Sequence, residues 1–307
     1  MSKASALVLG VDGMLGHKVY DVLRQDPDLR IYGTTRRMSR LDDNKLFYFN
    51  ALYNDDCIPW DDFDYIINCI GAIKPHIDED NPCSVSDAIK LNSLLPQMLA
   101  GTSCRVIHAS TDCVFSGDAT KKFIRTFRNE YLETDDVDAS DVYGRSKILG
   151  ECPHNMNIRV SIIGPQLPDG GPKSLLEWYL AQDPDSTVDG YATHSWNGIS
   201  TLQWARNAVT IIKGDLWQVG TFHTGSEMFD KAEILQLIKE AYAEHGVETA
   251  AINVRRDMTP KWMNLRTVEG MFYAELQMLS LREQIKEMAG DHCAQAVQGR
   301  YHLRNSP

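Results

Sequence analysis

The chain lacks any apolar run approaching the ~18 residues that a membrane span requires. Its first ten residues, Met1 to Gly10, hold too few apolar side chains for a secretory signal. It also lacks a C-x-x-C spacing: the seven cysteines are Cys57, Cys69, Cys83, Cys104, Cys113, Cys152 and Cys293. An odd number of scattered cysteines supports neither a disulfide framework nor a zinc site. Buried free thiols in a reducing compartment, and no metal, are the expectation. Basic excess is missing too, since the formal net charge is −11. A general nucleic-acid binder carries a basic face, so no nucleic acid and no membrane are expected as partners. A nucleotide substrate stays open, because an acidic protein can hold a local basic pocket. There are no internal repeats or low-complexity tracts. The expected location is cytoplasmic.

What the chain has is 307 residues, 43% of them hydrophobic and 24% charged, enough for a large core in one domain or in a domain with a smaller partner. Ala6-Leu7-Val8-Leu9 is a continuous apolar run, as a strand buried on both faces requires. Gly10-Val11-Asp12-Gly13-Met14-Leu15-Gly16 follows, and Leu15, Val19, Val22 and Leu23 then recur at helical spacing up to Asp26-Pro27. Strand, glycine turn and helix are the context in which glycines carry chemistry. Gly10 allows the turn, Gly13 lets a pyrophosphate approach the helix N-terminus, and Gly16 lets helix pack closely on strand. A plain glycine turn is the alternative.

A second strand, Arg30 to Thr35, runs into Arg36-Arg37. In a dinucleotide fold an acid at that strand end takes the ribose hydroxyls of NAD, whereas an arginine accommodates the 2′-phosphate of NADP. Two arginines favour NADPH, with NADH the alternative cofactor; a surface basic pair is the competing reading. Lys45 to Phe49 reads as a third strand and Asp64 to Gly71 as a fourth. The end of the fourth, Cys69-Ile70-Gly71, is small and apolar and can pass close under a cofactor. In the loop that follows, Lys74 and His76 meet either a substrate or solvent. Ser86 to Gly101 reads as a helix kinked or broken at Pro96, with Asn92 either on its outer face or turned toward the site. Arg105 to Ala109 is a fifth strand that ends in the hydroxyl-rich turn Ser110-Thr111-Asp112, well placed to hydrogen-bond a carbonyl. Phe123 to Ala139 reads as a loop.

Tyr143 and Lys147 lie four residues apart, so on a helix they share a face. A phenol titrates near pH ~10 and is a poor proton donor or acceptor at neutrality. A neighbouring ammonium favours the phenolate and lowers that pKa, which makes the pair a proton relay. The same spacing also occurs on ordinary solvated helix faces. Asn157 to Pro165 reads as a sixth strand, and the strand–helix alternation up to this point gives a doubly wound parallel sheet. Beyond it, the Pro- and Gly-rich Gln166 to Lys173 opens a stretch where loops dominate to Trp196. Helices are expected over Leu202 to Ile212 and Asp230 to His245, and a strand at Phe222 to Gly225. Val247 to Leu265 reads as irregular, and the tail beyond Thr267 as helical. Trp196 is either an aromatic platform for a ligand or core.

Taken together, the Gly10 to Gly16 turn, Ser110-Thr111-Asp112 with Val114-Phe115, Tyr143-Gly144-Arg145-Ser146-Lys147 and Asn197-Gly198-Ile199-Ser200-Thr201 resemble the extended short-chain dehydrogenase/reductase superfamily. The closest likeness is to its dTDP-4-dehydrorhamnose reductase branch. It runs from Leu7 to about Phe222 and more weakly beyond. The resemblance implies an α/β Rossmann-type fold, a doubly wound parallel sheet with a smaller, interleaved substrate-binding domain. Residues 1–164 with 198–225 would bind NADP, and 165–197 with 226–307 the sugar nucleotide.

It implies NADPH-dependent reduction of the 4-keto group of a nucleotide-linked 6-deoxysugar. Tyr143 would give the proton, Lys147 would lower the Tyr143 pKa and hold the nicotinamide ribose, and Thr111 would polarise the carbonyl. Gly10, Gly13, Met14, Leu15 and Gly16 would line the pyrophosphate, Arg36 and Arg37 the 2′-phosphate, and Cys69, Ile70 and Gly71 the cofactor. Lys74, Asp112, Val114, Phe115 and Trp196 would meet the sugar. A homodimer is an open expectation. The chain departs from the branch at Cys113, where the family carries Tyr, at Ile162, where many members carry Trp, and in the Ile73 to His76 loop. A sugar-nucleotide epimerase or dehydratase on the same fold is the alternative, although the dehydratases' Asp-Glu pair is missing, since Cys113 follows Asp112. A non-catalytic regulatory subunit, like the partner of methionine adenosyltransferase that resembles this branch, is a third reading.

Overall fold

Each apolar run long enough for a strand buried on both faces enters one sheet. In β1 (Ala4–Leu9) the two faces divide cleanly: Ala6 and Val8 pack into one core, Leu7 and Leu9 into another. The computed structural model describes residues 3–53, 55, 56, 58–168, 174–268, 274–301 and 303. The sheet adds β2 (Leu29–Thr35), β3 (Leu46–Asn50), β4 (Asp55–Asp56), β5 (Tyr65–Asn68), β6 (Arg105–Ala109), β7 (Met156–Arg159) and β12 (Gly220–His223). Their order is β12-β7-β6-β5-β1-β2-β3-β4, and every pair is parallel except β3 with β4. The order reverses direction at β1, so the crevice beyond its carboxyl end, between β2 and β5, is where such a sheet takes a ligand.

One face carries α1 (Met14–Arg24) and α7 (Thr201–Lys213). The other carries a helical segment in three parts: α2 (Pro82–Ile89), a π turn over Lys90–Leu94, and α3 (Leu95–Leu99). The sequence expectation was one helix with a kink or a break at Pro96. Proline has no N–H and its ring crowds the carbonyl four residues back. The wide turn that precedes Pro96 absorbs both effects without ending the helix. α5 (Val142–Gly150) lies against this segment.

A second core is built from later parts of the chain. It joins Leu176, Tyr179 and Leu180 of α6 (Leu175–Leu180) to Ile234, Leu237 and Ile238 of α8 (Lys231–Ala243) and to Ile285, Met288 and Ala289 of α9 (Leu281–Val297). Its strands are short. β8 (Ile162–Ile163) pairs with β11 (Ile199–Ser200), and β9 (Thr187–Tyr191) with β14 (Ala251–Arg255). β10 (His194–Trp196) lies between β13 (Phe229–Asp230) and β15 (Lys261–Met263).

The structure departs from the sequence reading at three places. α4 (Ala119–Thr126) occupies the start of the stretch read as loop; Asp118 caps it by accepting from Lys121 N at 3.0 Å. The sixth strand breaks after Arg159, because Ile162 and Ile163 leave the main sheet to pair with β11. The stretches read as loop or irregular contain α6, β9, β10, β14 and β15, whose partners lie far away in sequence. Of the Pro- and Gly-rich segment Gln166 to Lys173, residues 169–173 lie outside the described residues, as do 269–273 in the tail.

Candidate active site

The glycine turn is built as its spacing requires. Gly10 sits at φ 79°, a conformation open to glycine and costly for other residues, and its N–H donates to Thr34 Oγ1 at 3.0 Å. A side chain on Gly16 would place its Cβ 2.1 Å from the Gly10 carbonyl oxygen, so α1 can approach the turn only with glycine there. Gly13 is the N-cap of α1. It offers no side-chain cap, and the first turn, which holds Met14 and Leu15, has no acid. The N–H groups there thus face outward at the positive end of the helix, a seat for a diphosphate. Ile70 packs against Gly10, and the Cys69 Cβ lies under Gly16, so the end of β5 passes close to the turn as expected. Gly71 lies beside Asn92 Oδ1 and Lys147 Nζ.

At the end of β2 Arg36 is exposed and Arg37 half-buried. Two residues the sequence reading passed over join them. Asp12, inside the glycine turn, accepts from Thr35 Oγ1 and from Arg40 Nη1, both at 2.6 Å, and lies 3.7 Å from Arg37 Nε. Two arginines, Arg37 and Arg40, therefore flank one carboxylate at the place where a dinucleotide's adenosine ribose would rest. The strand end itself carries no acid; Asp12 reaches it from the glycine turn.

Tyr143 and Lys147 lie on α5, whose N-cap Asp141 accepts from Gly144 N at 2.7 Å. A Cβ on Gly144 would lie 2.4 Å from the Cys113 carbonyl oxygen, so the glycine after Tyr143 is what brings α5 against the Thr111 turn. The Thr111 hydroxyl lies near enough to the Tyr143 phenol to influence its proton affinity. It also caps the following turn, accepting from Cys113 N at 3.1 Å and donating to Asp112 Oδ1 at 3.2 Å. The expected lowering of the Tyr143 pKa by Lys147 is not what the geometry gives. Loss of hydration raises the phenol above its ordinary value, and Cys113, Asp112 and Asp141 add to the rise, with the Thr111 hydrogen bond opposing it. Lys147 instead donates from Nζ to the Ala109 carbonyl oxygen at 2.7 Å. It is 5% exposed, and burial lowers its pKa to about 8, against the pull of Glu151 and Cys69.

Asn92 proves to be buried and turned toward the site. It accepts from Ala72 N at 2.8 Å and donates to Ala72 O and Ser146 Oγ, both at 3.0 Å, so the π turn ties the loop after β5 to α5. Beneath the Thr111 turn Glu151 holds Arg159 through two hydrogen bonds, of 2.8 and 2.7 Å, and accepts from Ser110 Oγ at 2.6 Å. Both members of this pair are buried.

The residues expected at the sugar divide. Lys74 reaches the site: its ammonium pairs with Asp141 at 2.6 Å and lies 5.9 Å from the centre of the Tyr143 ring. Burial lowers its pKa, but the hydrogen bond to Asp141 and the nearby Cys113 and Asp112 outweigh that, and the net shift is upward. Asp112 is buried at the turn; desolvation raises its pKa, while hydrogen bonds from Cys113, Thr111 and Ser161 and the charge of Lys231 pull it down. Val114 and Phe115 are corrections. They are 0% and 2% exposed, packed with Tyr131 and Leu265, and support the turn from behind. Trp196 is a correction as well: 5% exposed, it belongs to the second core, with Gly198 close against its ring. Lys231 of the second core is half-buried, its ammonium 5.7 Å from the centre of the Trp196 ring; burial lowers its pKa and the charges of Asp112 and Cys113 oppose that.

Among the described residues no group of three or more His, Cys, Asp or Glu could hold a metal ion, and no helix is long and apolar enough to cross a membrane. A surface cavity of about 380 Å³ between α1, α7 and α9, lined by Lys18, Asp21, Arg206 and Glu287 among others, holds none of the candidate site residues.

The NAD dependent epimerase/dehydratase family matches residues 6–152, the stretch that carries the glycine turn, Thr111, Tyr143 and Lys147. No curated protein matches the sequence. Among solved structures, the chain is similar to a dTDP-4-dehydrorhamnose reductase from Clostridium acetobutylicum, with 18% identity and a TM-score of 0.68 over 96% of this chain and 99% of that one. A dTDP-4-dehydrorhamnose reductase from Bacillus anthracis in complex with NADP gives 18% and 0.68 over 94% and 99%. A UDP-glucuronic acid 4-epimerase from Bacillus cereus in complex with UDP-glucuronic acid and NAD gives 15% and 0.69 over 95% and 99%. The resemblance to the extended short-chain dehydrogenase/reductase superfamily is thus matched by these comparisons, and the fold is the Rossmann-type α/β fold that the motifs implied.

Proposed function

We propose that the protein reduces the 4-keto group of a nucleotide-linked 6-deoxysugar with NADPH. The observation that carries this reading is the meeting of Thr111 and Tyr143, across a contact that only glycine at position 144 permits, beside Lys147 and at the same sheet end as the glycine turn. The uncapped α1 N-terminus fits a dinucleotide diphosphate, and Arg36, Arg37 and Arg40 favour one with a further phosphate on the ribose. The second core would cover the sugar nucleotide, with 165–197 and 226–307 as its parts. The solved reductase in complex with NADP supports the cofactor choice by likeness.

A bound nicotinamide would supply hydride to the carbonyl carbon. Tyr143 would give its proton to the carbonyl oxygen as charge develops there, a contribution of about 10² to 10⁴ in rate. The Thr111 hydroxyl would turn from Asp112 onto the same oxygen and stabilise that charge. Lys147, cationic below its pKa of about 8, would stabilise the phenolate left on Tyr143. A sugar-nucleotide epimerase is the second reading, favoured by the similarity to the UDP-glucuronic acid 4-epimerase.

Purified protein should oxidise NADPH when given a nucleotide-linked 4-keto-6-deoxysugar, with loss of NADPH matching product formed. An epimerase would interconvert sugars with no net consumption of cofactor. Tyr143→Phe should lower kcat at least ~100-fold while cofactor affinity stays unchanged. Full turnover by this variant would reject the mechanism.

A further inference from the structure

The far end of the chain is braced against α1, the helix that carries the glycine turn. α9 and the residues after it reach α1 through two ion pairs, Asp291 with Lys18 and Arg300 with Asp21, and through a hydrogen bond between Tyr301 and His17. Each ion pair has one partly exposed partner. The third contact is dry: His17 is 1% and Tyr301 3% exposed. His17 Nδ1 lies 2.8 Å from the Gly13 carbonyl oxygen, and His17 Nε2 lies 2.6 Å from the Tyr301 hydroxyl. A carbonyl oxygen can only accept, so Nδ1 carries the proton. In a neutral ring Nε2 then has only its lone pair, and Tyr301 donates to it. Burial keeps the ring neutral by lowering its pKa to about 3, against the hydrogen bond to Gly13. The direction of the line is therefore fixed, from hydroxyl to ring and from ring to carbonyl. The Gly13 carbonyl also accepts from His17 N at 3.0 Å, so both of its lone pairs are used. At its other end the line enters the second core. The Tyr301 ring meets His292 edge to face at 4.6 Å, and His292 Nδ1 lies 2.7 Å from the hydroxyl of Tyr242, a buried residue of α8.

We propose that His17 and Tyr301 are positioning residues for the cofactor, which hold the Gly13–Met14 peptide so that its N–H faces the dinucleotide diphosphate. The inference rests on the dinucleotide-binding part of the reading given above. Gly13 is the N-cap of α1, so the Met14 N–H is the first that has no partner within the helix. The Gly13 carbonyl and the Met14 N–H are the two ends of one planar unit and point in opposite directions. Fixing the carbonyl therefore fixes the N–H. Hydrogen bonds in series also polarise one another, so the two that the carbonyl accepts strengthen the N–H as a donor. Gly13 has no side chain with which to order its own backbone, and glycine loses the most freedom when it is ordered. The brace from His17 offsets that cost before the cofactor arrives, and Tyr301 holds the His17 ring in the one tautomer that can donate to the carbonyl. Neither residue has to touch the cofactor to do this. Because Tyr301 also packs on His292, the seat of the diphosphate is tied to the core that would cover the substrate.

The test is equilibrium binding to the whole protein, for wild type, Tyr301→Phe, His17→Phe and the double variant. The probes are NADPH, NADH and adenosine 2′-monophosphate, which has no diphosphate. Thermal unfolding checks that each variant is folded. Tyr301→Phe removes one hydroxyl and keeps the ring. It should weaken NADPH and NADH by the same factor, about 3-fold or more, as the loss of a neutral hydrogen bond implies. The affinity for adenosine 2′-monophosphate should stay as in wild type, since that probe does not reach the Met14 N–H. His17→Phe should weaken both dinucleotides at least as much, and in that background Tyr301→Phe should add nothing, because the hydroxyl acts through the ring. Unchanged dinucleotide affinity in Tyr301→Phe, even with a lower melting temperature, overturns the inference. An equal loss for adenosine 2′-monophosphate overturns it too, since the damage would then be general. Should His17→Phe fail to fold, Tyr301→Phe decides alone. A wild type that binds neither dinucleotide rejects the cofactor reading and this inference with it.

Discussion

Lys147→Met should make the protein more stable and nearly inactive. Lys147 is 5% exposed, its ammonium donates to the Ala109 carbonyl oxygen at 2.7 Å, and its pKa falls from the ordinary 10.5 to about 8, chiefly because it is desolvated. Each tenfold loss in proton affinity corresponds to about 1.4 kcal/mol. Holding the lysine charged in the folded state at pH 7 therefore costs about 3 kcal/mol relative to the unfolded chain. Methionine fills the same space without the charge. It forfeits one hydrogen bond, about 1 kcal/mol, and leaves the Ala109 carbonyl to find another donor. The net expectation is a gain of about 1–2 kcal/mol at pH 7. The sign with pH follows from linkage. Below pH 8 both states carry the proton and the full cost is present. Between about 8 and 10.5 the unfolded chain still binds the proton and the folded protein does not, so wild-type stability rises through that window. The variant lacks this rise, and its advantage should shrink at alkaline pH. Urea unfolding of both proteins at pH 7 and pH 9.5, with comparable slopes, measures the difference. A variant less stable than wild type at pH 7, or a difference that does not change with pH, would show that Lys147 is not a desolvated cation in the fold.

Replacing both Arg36 and Arg37 by Ala should lower the ratio of NADPH to NADH affinity at least ~10-fold, because a charge-assisted contact to phosphate contributes about 1.5–3 kcal/mol; an unchanged ratio in equilibrium binding rejects the 2′-phosphate assignment. Glu151→Ala strands the buried Arg159 guanidinium and removes the acceptor for Ser110, so urea unfolding should show a loss of about 3–5 kcal/mol. Glu151→Leu combined with Arg159→Met should recover most of that loss, and a loss below about 1 kcal/mol in Glu151→Ala would mean that the pair is not buried in solution.

The parts of the site that the sequence revealed are those whose function is local in the chain. Gly10, Gly13 and Gly16 act within one turn, and Tyr143 and Lys147 within one turn of helix, so their spacing carries their geometry. The same holds for the strands of the main sheet, whose apolar runs mark burial on both faces. What escaped notice depends on contacts between distant segments. Asp12 looked like a turn residue, and Arg40 lay beyond the strand end, yet they meet at 2.6 Å. Val114, Phe115 and Trp196 were placed at the sugar by resemblance, but apolar side chains beside a functional turn can equally hold that turn from behind, and packing assigns them there. The strands β9 and β14 pair across more than sixty intervening residues, from Thr187 with Ala251 to Tyr191 with Arg255, a pairing that no local period announces.

The direction in which Tyr143 is perturbed bears on the choice between the two enzymatic readings. Epimerisation at C4 begins by removing hydride and a proton from an alcohol, so its tyrosine has to start as a base. Reduction begins with a ketone, and its tyrosine has to start as an acid. Loss of hydration and the acidic neighbours Asp112 and Asp141, with the Cys113 thiol, keep the Tyr143 phenol protonated. Lys147, cationic below its pKa of about 8, is directed to the Ala109 carbonyl rather than to the phenol. A phenol so placed holds its proton until negative charge appears on a substrate oxygen beside Thr111, which is the order of events in a reduction. An enzyme that had to take a proton first would gain from the reverse arrangement, with the lysine ammonium directed at the phenol and no carboxylates nearby. The buried Asp112 carboxyl, on the Thr111 turn, thus helps to keep Tyr143 an acid.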